Sequence, residues 1–177
     1  MSQAEIAGGS FTPPNQFPSK GHLLRDFTLE TASGNKVHLS DYRGRASLVL
    51  VFTGTDNESS QLLSDLASHA TEMKQEEAEI LVIRWPSHDR LQDSEEPGRP
   101  HYAVLIDRDG RLHDRFGAVD AEGRACTAVY ITDRFAEVFA AYRKRDGQKL
   151  PTVTEIVSWL DFVNSQCPEC EAPEWPT

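Results

Sequence analysis

The chain has 177 residues, the size of one ordinary domain, and at that length about 70% of the unfolded surface can be buried without metals or disulfide staples. Apolar residues make up 38% and charged residues 26%, which fits a globular chain and excludes a fibrous or wholly disordered one. Lys and Arg number 18 against 28 Asp and Glu, and the resulting net charge of −10 repels phosphate backbones and anionic membranes.

The first segment, 1–20, holds Gly8-Gly9-Ser10, Pro13-Pro14 and Pro18 and shows little periodicity, so a flexible tail is expected there. It has no basic stretch leading into an apolar one, so no secretory signal is read. Phe27, Leu29 and Thr31 alternate as in a half-buried strand, Ser33-Gly34-Asn35 makes a turn, and Val37 and Leu39 alternate again. Leu48–Phe52 is a continuous apolar run of the kind that suits a central strand covered on both faces. It is too short to span a bilayer, and no apolar run is longer.

Residues 55–79 are predicted to form the longest helix. Thr55-Asp56-Asn57-Glu58 reads as a capping box, and Leu62, Leu66, Ala70 and Met73 fall on one face. Ile80–Trp85 is a second buried strand ended by Pro86, and 86–100 is a polar loop. Tyr102–Ile106 is a shorter strand followed by the turn Asp107-Arg108-Asp109-Gly110. Leu112, Arg115 and Phe116 predict a short helix ended by Gly117. Thr127–Ile131 and Glu137–Tyr142 read as two strands around a tight connection. Residues 152–165 read as the last helix, with a second capping box in Thr152-Val153-Thr154-Glu155 and an apolar face of Ile156, Trp159, Leu160 and Val163. Strands separated by helices predict an α/β domain with a mixed sheet and helices on both faces. The divisions are a tail over 1–20, the domain over 21–165 and a second tail over 166–177 that carries Cys167-Pro168-Glu169-Cys170.

Asp26-Phe27-Thr28-Leu29, then Val37–Arg45, then Leu48–Phe52 resemble the opening of the peroxiredoxin family, the alkyl hydroperoxide reductase/thiol-specific antioxidant group. Val104–Leu112 with Phe116-Gly117-Ala118, and then Ala128–Asp133, resemble that family's later blocks in the same order. The resemblance covers about residues 23–165 and implies a thioredoxin-like fold, antioxidant or oxidoreductase chemistry without a cofactor, a thiol reductant such as thioredoxin as partner, and a homodimer. The family places a cysteine after a Pro and a Thr or Ser at the first turn of the main helix, where the helix N-terminus and an Arg stabilise its thiolate. Thioredoxin-like relatives place Cys-x-x-Cys in the same loop.

Here the loop reads Phe52-Thr53-Gly54-Thr55-Asp56-Asn57-Glu58-Ser59-Ser60-Gln61, with no cysteine and no proline. Counting from Phe52, the peroxidatic position falls near Gln61, and the dithiol positions fall near Asn57 and Ser60. A Gln amide is no nucleophile, and a Ser hydroxyl without a base ionises far too weakly. Thr55, Gln61 and Arg124 are the expected substrate-facing remnants of the site. Arg124 lies in Gly123-Arg124-Ala125-Cys126-Thr127, where relatives carry an Arg or a cis-Pro.

Three cysteines are too few for a disulfide framework, so a cytoplasmic, reducing setting is expected. Cys167 and Cys170 admit three readings: a redox dithiol, half of a zinc site completed by a second copy of the chain, or an inert tail. Cys126 is read as a small buried hydrophobe, with a relocated nucleophile beside Arg124 as the alternative. His88, His101 and His113 are expected to be surface or loop residues, Asp107-Asp109-Gly110 a turn, and Trp85 core packing. Two functional classes stay open. The first is a redox protein acting through Cys167/Cys170 or Cys126. The second is a non-enzymatic binding or scaffold module on the same fold.

Overall fold

A computed structural model of the chain describes residues 17–87 and 102–166. They form one mixed seven-stranded sheet with helices on both faces, as the sequence predicts. In chain order the elements are β1 (Thr28–Thr31), β2 (Lys36–His38), a 3-10 turn (Leu39–Tyr42), β3 (Ser47–Phe52), α1 (Glu58–Ser68), α2 (Ala70–Gln75), β4 (Ala78–Arg84), β5 (Ala103–Ile106), α3 (Arg111–Arg115), β6 (Ala128–Thr132), β7 (Val138–Arg143) and α4 (Val153–Asn164). The sheet order is β2-β1-β5-β4-β3-β6-β7. β3 runs parallel to β4 and antiparallel to β6, and β4 runs parallel to β5.

The two-residue period of β3 divides the core between the two faces. Leu48, Leu50 and Phe52 point to one side, where they meet Leu39, Leu112, Phe116 and Tyr130. Val49 and Val51 point to the other, where α1, α2 and α4 supply Leu62, Leu66, Met73, Ile156 and Leu160. Every residue of β3 is buried, as its continuous apolar sequence requires for a strand covered on both sides.

Three local expectations need correction. The predicted long helix is two helices, broken at His69, whose backbone (φ −109°, ψ 8°) leaves the helical region. Ala70 and Met73 are buried as their spacing suggests, but they belong to the second helix. Thr55 does not cap α1 through a capping box: the backbone N–H of Ser59 donates to the Asp56 carboxylate instead, at 3.2 Å. His113 is a buried residue of α3 and not a surface one.

The box on α4 forms as read. Glu155 N–H donates to the Thr152 hydroxyl, and Thr152 N–H donates to the Glu155 carboxylate at 2.6 Å. Trp85 packs its six-membered ring against Gly110, which holds φ +70° in the predicted turn, and stands 5.8 Å from the His113 ring. Of the segment assigned as a tail, Phe17 lies against Gly117 and the Pro18 carbonyl accepts from Arg143. Among the described residues no helix is long and apolar enough to cross a membrane. His88 and His101 lie outside the described residues.

Candidate active site at the start of α1

The loop Thr53–Asn57 leaves the C-terminal end of the central strand β3 and turns into α1. In an α/β sheet this is where a ligand site is expected. Its backbone is tied on three sides. Thr53 N–H donates to the Ile83 carbonyl on β4 at 3.0 Å, Thr55 N–H donates to the Ala125 carbonyl at 3.0 Å, and His113 Nε2 lies 3.2 Å from the Thr53 carbonyl. Gly54 is required here by space: a Cβ would sit 2.5 Å from the Thr127 nitrogen and 2.7 Å from both the Asp56 carboxylate and the Cys126 carbonyl carbon.

Asp56 fills the helix start. One carboxylate oxygen accepts from Ser59 N–H at 3.2 Å and from the Thr127 hydroxyl at 2.9 Å. The other accepts from the same hydroxyl at 2.8 Å and from Thr127 N–H at 3.3 Å. An anion at this end of a helix is favoured by the unpaired amides and their dipoles. The loop therefore carries its own fixed negative charge where a thiolate would be stabilised.

The residues singled out from sequence are placed as follows. Thr55 is half-buried, and its hydroxyl is turned to the Ala125 carbonyl at 3.4 Å. Gln61 is exposed on the first turns of α1 and donates to Asp65 at 2.9 Å. Arg124 is exposed and held by Asp120 at 2.9 Å and Glu122 at 3.2 Å. Cys126 is beside the loop, next to Thr127, and buried, as the packing reading anticipates. Burial pushes its thiol up to about 11, the carboxylates of Asp120 and Asp56 push the same way, and the Arg145 backbone N–H and charge oppose them. A thiol so placed is almost wholly protonated at neutral pH. Cys167 and Cys170 lie outside the described residues. Among the described residues no three His, Cys, Asp or Glu side chains are grouped to hold a metal.

Sequence reasoning missed two members of this neighbourhood. Asp56 was legible only as part of a capping box, and the signal that marks it out is an acidic residue three positions before Ser59 with Thr127 as a distant partner. His113 was missed because a lone His carries no signal, although Leu112 and Phe116 flank it with core residues.

Away from the loop, an open groove of about 490 Å³ lies between β7 and α4, lined by Lys20, Tyr142, Glu155, Trp159 and Phe162. Phe162 stands 47% exposed, at 5.9 Å from Trp159.

The architecture has many solved counterparts. The AhpC from Enterococcus faecalis superposes with a TM-score of 0.66 at 19% identity, covering 85% of this chain and 96% of that one. The reduced 2-Cys peroxiredoxin of Plasmodium vivax gives 0.64 at 14% identity, covering 81% of this chain and 80% of that one. A putative thiol:disulfide interchange protein DsbE from Chlorobium tepidum gives 0.62 at 16%, covering 83% and 98%. These likenesses establish a thioredoxin-like fold of peroxiredoxin type. No curated protein matches the sequence. The sequence description of the AhpC/TSA family matches residues 21–141, more than half of the chain, from before β1 into β7. On that match, the chain belongs to the AhpC/TSA family.

Proposed function

We propose that this chain is a redox-fold protein whose peroxidase centre is degenerate, so that the start of α1 does not turn over peroxide. The observation that carries this reading is the side-chain set around the loop. Asp56, already bonded to Thr127 and Ser59, holds the helix start, and the neighbouring sulfur, Cys126, is buried with its thiol pushed up to about 11. Peroxide attack needs an accessible thiolate, and neither condition is met by Cys126. Gln61 supplies an amide, which is no nucleophile and is engaged with Asp65, and Ser60 a hydroxyl, which ionises too weakly unless a base activates it.

Thiol chemistry in this chain is then assigned to Cys167 and Cys170. As a pair they lose two electrons and two protons on forming a disulfide, and a thioredoxin-type dithiol returns both. This fits a reducing, cytoplasmic setting.

A second reading is a non-enzymatic binding module. The aromatic groove beside α4 favours it, because Phe162 is exposed and Trp159 and Tyr142, only partly buried against the core, extend the same apolar wall. In that reading two copies of the chain hold one zinc through four thiolates from Cys167 and Cys170.

Peroxide consumption with dithiothreitol or thioredoxin as reductant decides between chemistry and binding. The expected result is no turnover above the uncatalysed rate in wild type, and no change in Cys126→Ser. Peroxide turnover lost in Cys126→Ser overturns the degenerate-centre reading. Thiol titration before and after oxidation, with zinc analysis of the same sample, separates the redox pair from the zinc site.

A further inference from the structure

The groove beside α4 is walled by aromatic rings. Phe162 is 47% exposed and meets Trp159 at 5.9 Å and Phe139 at 6.2 Å, both edge-to-face. Trp159 and Tyr142 are half-buried and pack against the core beneath them. Trp159 Nε1 donates to the Tyr142 hydroxyl at 2.8 Å, so that hydroxyl keeps its own proton to donate. A wall of rings with a phenol donor suits an extended proline-rich segment, whose φ angles are preset and whose carbonyls are not bonded within the segment.

Such a segment follows α4 in the sequence. Residues 167–177, outside the described ones, contain Pro168, Pro173 and Pro176, and the last two bracket an aromatic residue in Pro173-Glu174-Trp175-Pro176. This stretch is joined to the groove wall at short range. The Gln166 N–H donates to the Val163 carbonyl at 3.1 Å and its side-chain amide to the Phe162 carbonyl at 3.0 Å, so the last described residue is fastened one helical turn from the exposed ring. Going back along the helix from Gln166 to Ser158, in the groove, takes about 12 Å at about 1.5 Å per residue. Going on from Gln166 to Pro173 provides about 22 Å of extended chain at about 3.1 Å per residue. The surplus is enough for the chain to reverse and lie along α4.

We infer that Pro173-Glu174-Trp175-Pro176 of the same chain occupies this groove. The Trp175 indole lies against Phe162 and Tyr142, and a carbonyl of the segment accepts the Tyr142 proton. Lys20, exposed in the lining, meets the acidic side chains of the segment, Glu171 and Glu174. Glu155, the other charged residue of the lining, has its carboxylate turned to the N–H and hydroxyl of Thr152 at 2.6 and 2.9 Å. Cys167 and Cys170 are then tethered at both ends beside the last turn of α4, and a proline-rich partner from outside has to displace the segment first. The docking is the same whether those cysteines serve as a redox pair or hold zinc.

Two other occupants are less well placed. Segment 1–16 joins the described chain at Phe17, which lies against Gly117, between Phe116 and Ala118 of the core on the opposite sheet face. A second copy extending the sheet at β7 meets an edge that the chain has begun to cover itself. Gly21 N–H donates to the Val138 carbonyl at 2.8 Å, and Val138 N–H donates to the His22 carbonyl at 2.9 Å.

The test uses the full chain labelled with carbon-13 and nitrogen-15. Nuclear Overhauser contacts are expected from the Trp175 indole to the Phe162 and Tyr142 rings, unchanged on dilution. Trp175→Ala is expected to abolish them and to shift the Trp159 indole N–H signal, while the Val51 amide of β3 stays in place. A Trp175 indole with the shift of a free peptide and no ring contact overturns the docking, as does a Trp159 signal that ignores the substitution. Contacts that appear only between a labelled and an unlabelled chain give the groove to a second copy and overturn it too. Contacts from Phe11 to Phe162 give it to segment 1–16, with the same consequence.

Discussion

The hydroxyl of Thr127 donates to both carboxylate oxygens of Asp56, at 2.9 and 2.8 Å, across 71 residues of sequence. This contact joins the start of α1 to the residue before β6, so the same carboxylate that caps a helix also fastens the loop to the sheet. Removing it leaves the amides of Ser59 and Thr127 and one hydroxyl without their acceptor. Asp56→Ala is therefore expected to lower stability by about 1–3 kcal/mol in urea denaturation. Asp56→Asn, which keeps one oxygen acceptor, is expected to cost less. An Asp56→Ala midpoint equal to wild type would show that neither the cap nor the tie matters.

Cys126 is expected to be chemically quiet in the folded protein. Its thiol sits at about 11 against an ordinary 9.0, chiefly through burial, so its thiolate fraction near neutral pH is about a hundredfold below that of a free thiol. In the Cys167→Ser/Cys170→Ser double variant, a maleimide or aromatic disulfide reagent should react at least that much more slowly with native protein than with unfolded protein. Equal rates would make Cys126 an accessible nucleophile and return it to the list of catalytic groups.

How much of this was visible beforehand depended on the range over which each residue finds its partners. β3 was legible because burial on both faces leaves an unbroken apolar run, and the α4 cap because Thr152 and Glu155 are three residues apart. The break at His69 was hidden because Leu62, Leu66, Ala70 and Met73 keep a helical spacing through it. The α1 cap offered two acceptors, Thr55 and Asp56. The choice was made by Thr127, whose position only the folded sheet supplies. The buried hydrogen-bonded pair under the loop needed Asp107 and His113 to meet across a turn, and nothing in a single histidine announces that. At the site itself, the missing loop cysteine was plain from sequence, whereas the carboxylate occupying the helix start was not.

Asp107 gives the stability a dependence on acid. Burial alone would raise its carboxyl group, but the hydrogen bonds from the His113 ring and backbone outweigh it and hold the group below its ordinary 3.8. A lowered folded value means that the ionised form is favoured in the fold. Its stabilisation is complete above the ordinary value and is lost as pH falls through the folded one. Asp133 and Glu137 act in the opposite sense: burial raises both, and they repel each other as carboxylates, so their protonation relieves the fold at higher pH. Denaturation midpoints measured from pH 6 down to about pH 2 should therefore show a limb of falling stability below about pH 4. That limb should shrink in Asp107→Asn, which is less stable at every pH. An unchanged limb in the variant would assign acid sensitivity to other groups.

Glu77 offers the opposite kind of change, a gain without a new contact. It follows the end of α2 with φ +51°, a left-handed conformation that strains any residue with a Cβ, and its amide donates to the Lys74 carbonyl at 3.2 Å in the manner of a helix stop. Its side chain is exposed, so nothing packed is lost on removing it. Glu77→Gly should relieve about 1 kcal/mol of backbone strain, and the looser unfolded chain should return part of that, for a net gain of about 0.5 kcal/mol and a melting temperature higher by about 1–2 °C. Glu77→Ala, which keeps the Cβ, is the control and should leave the melting temperature unchanged. Ala136 shares the conformation at φ +65° but is only 3% exposed and packs in the core. Glycine there gives up the methyl contacts that offset the relief, so Ala136→Gly should gain less than Glu77→Gly. A larger gain at Ala136 would mean that strain outweighs packing at that turn.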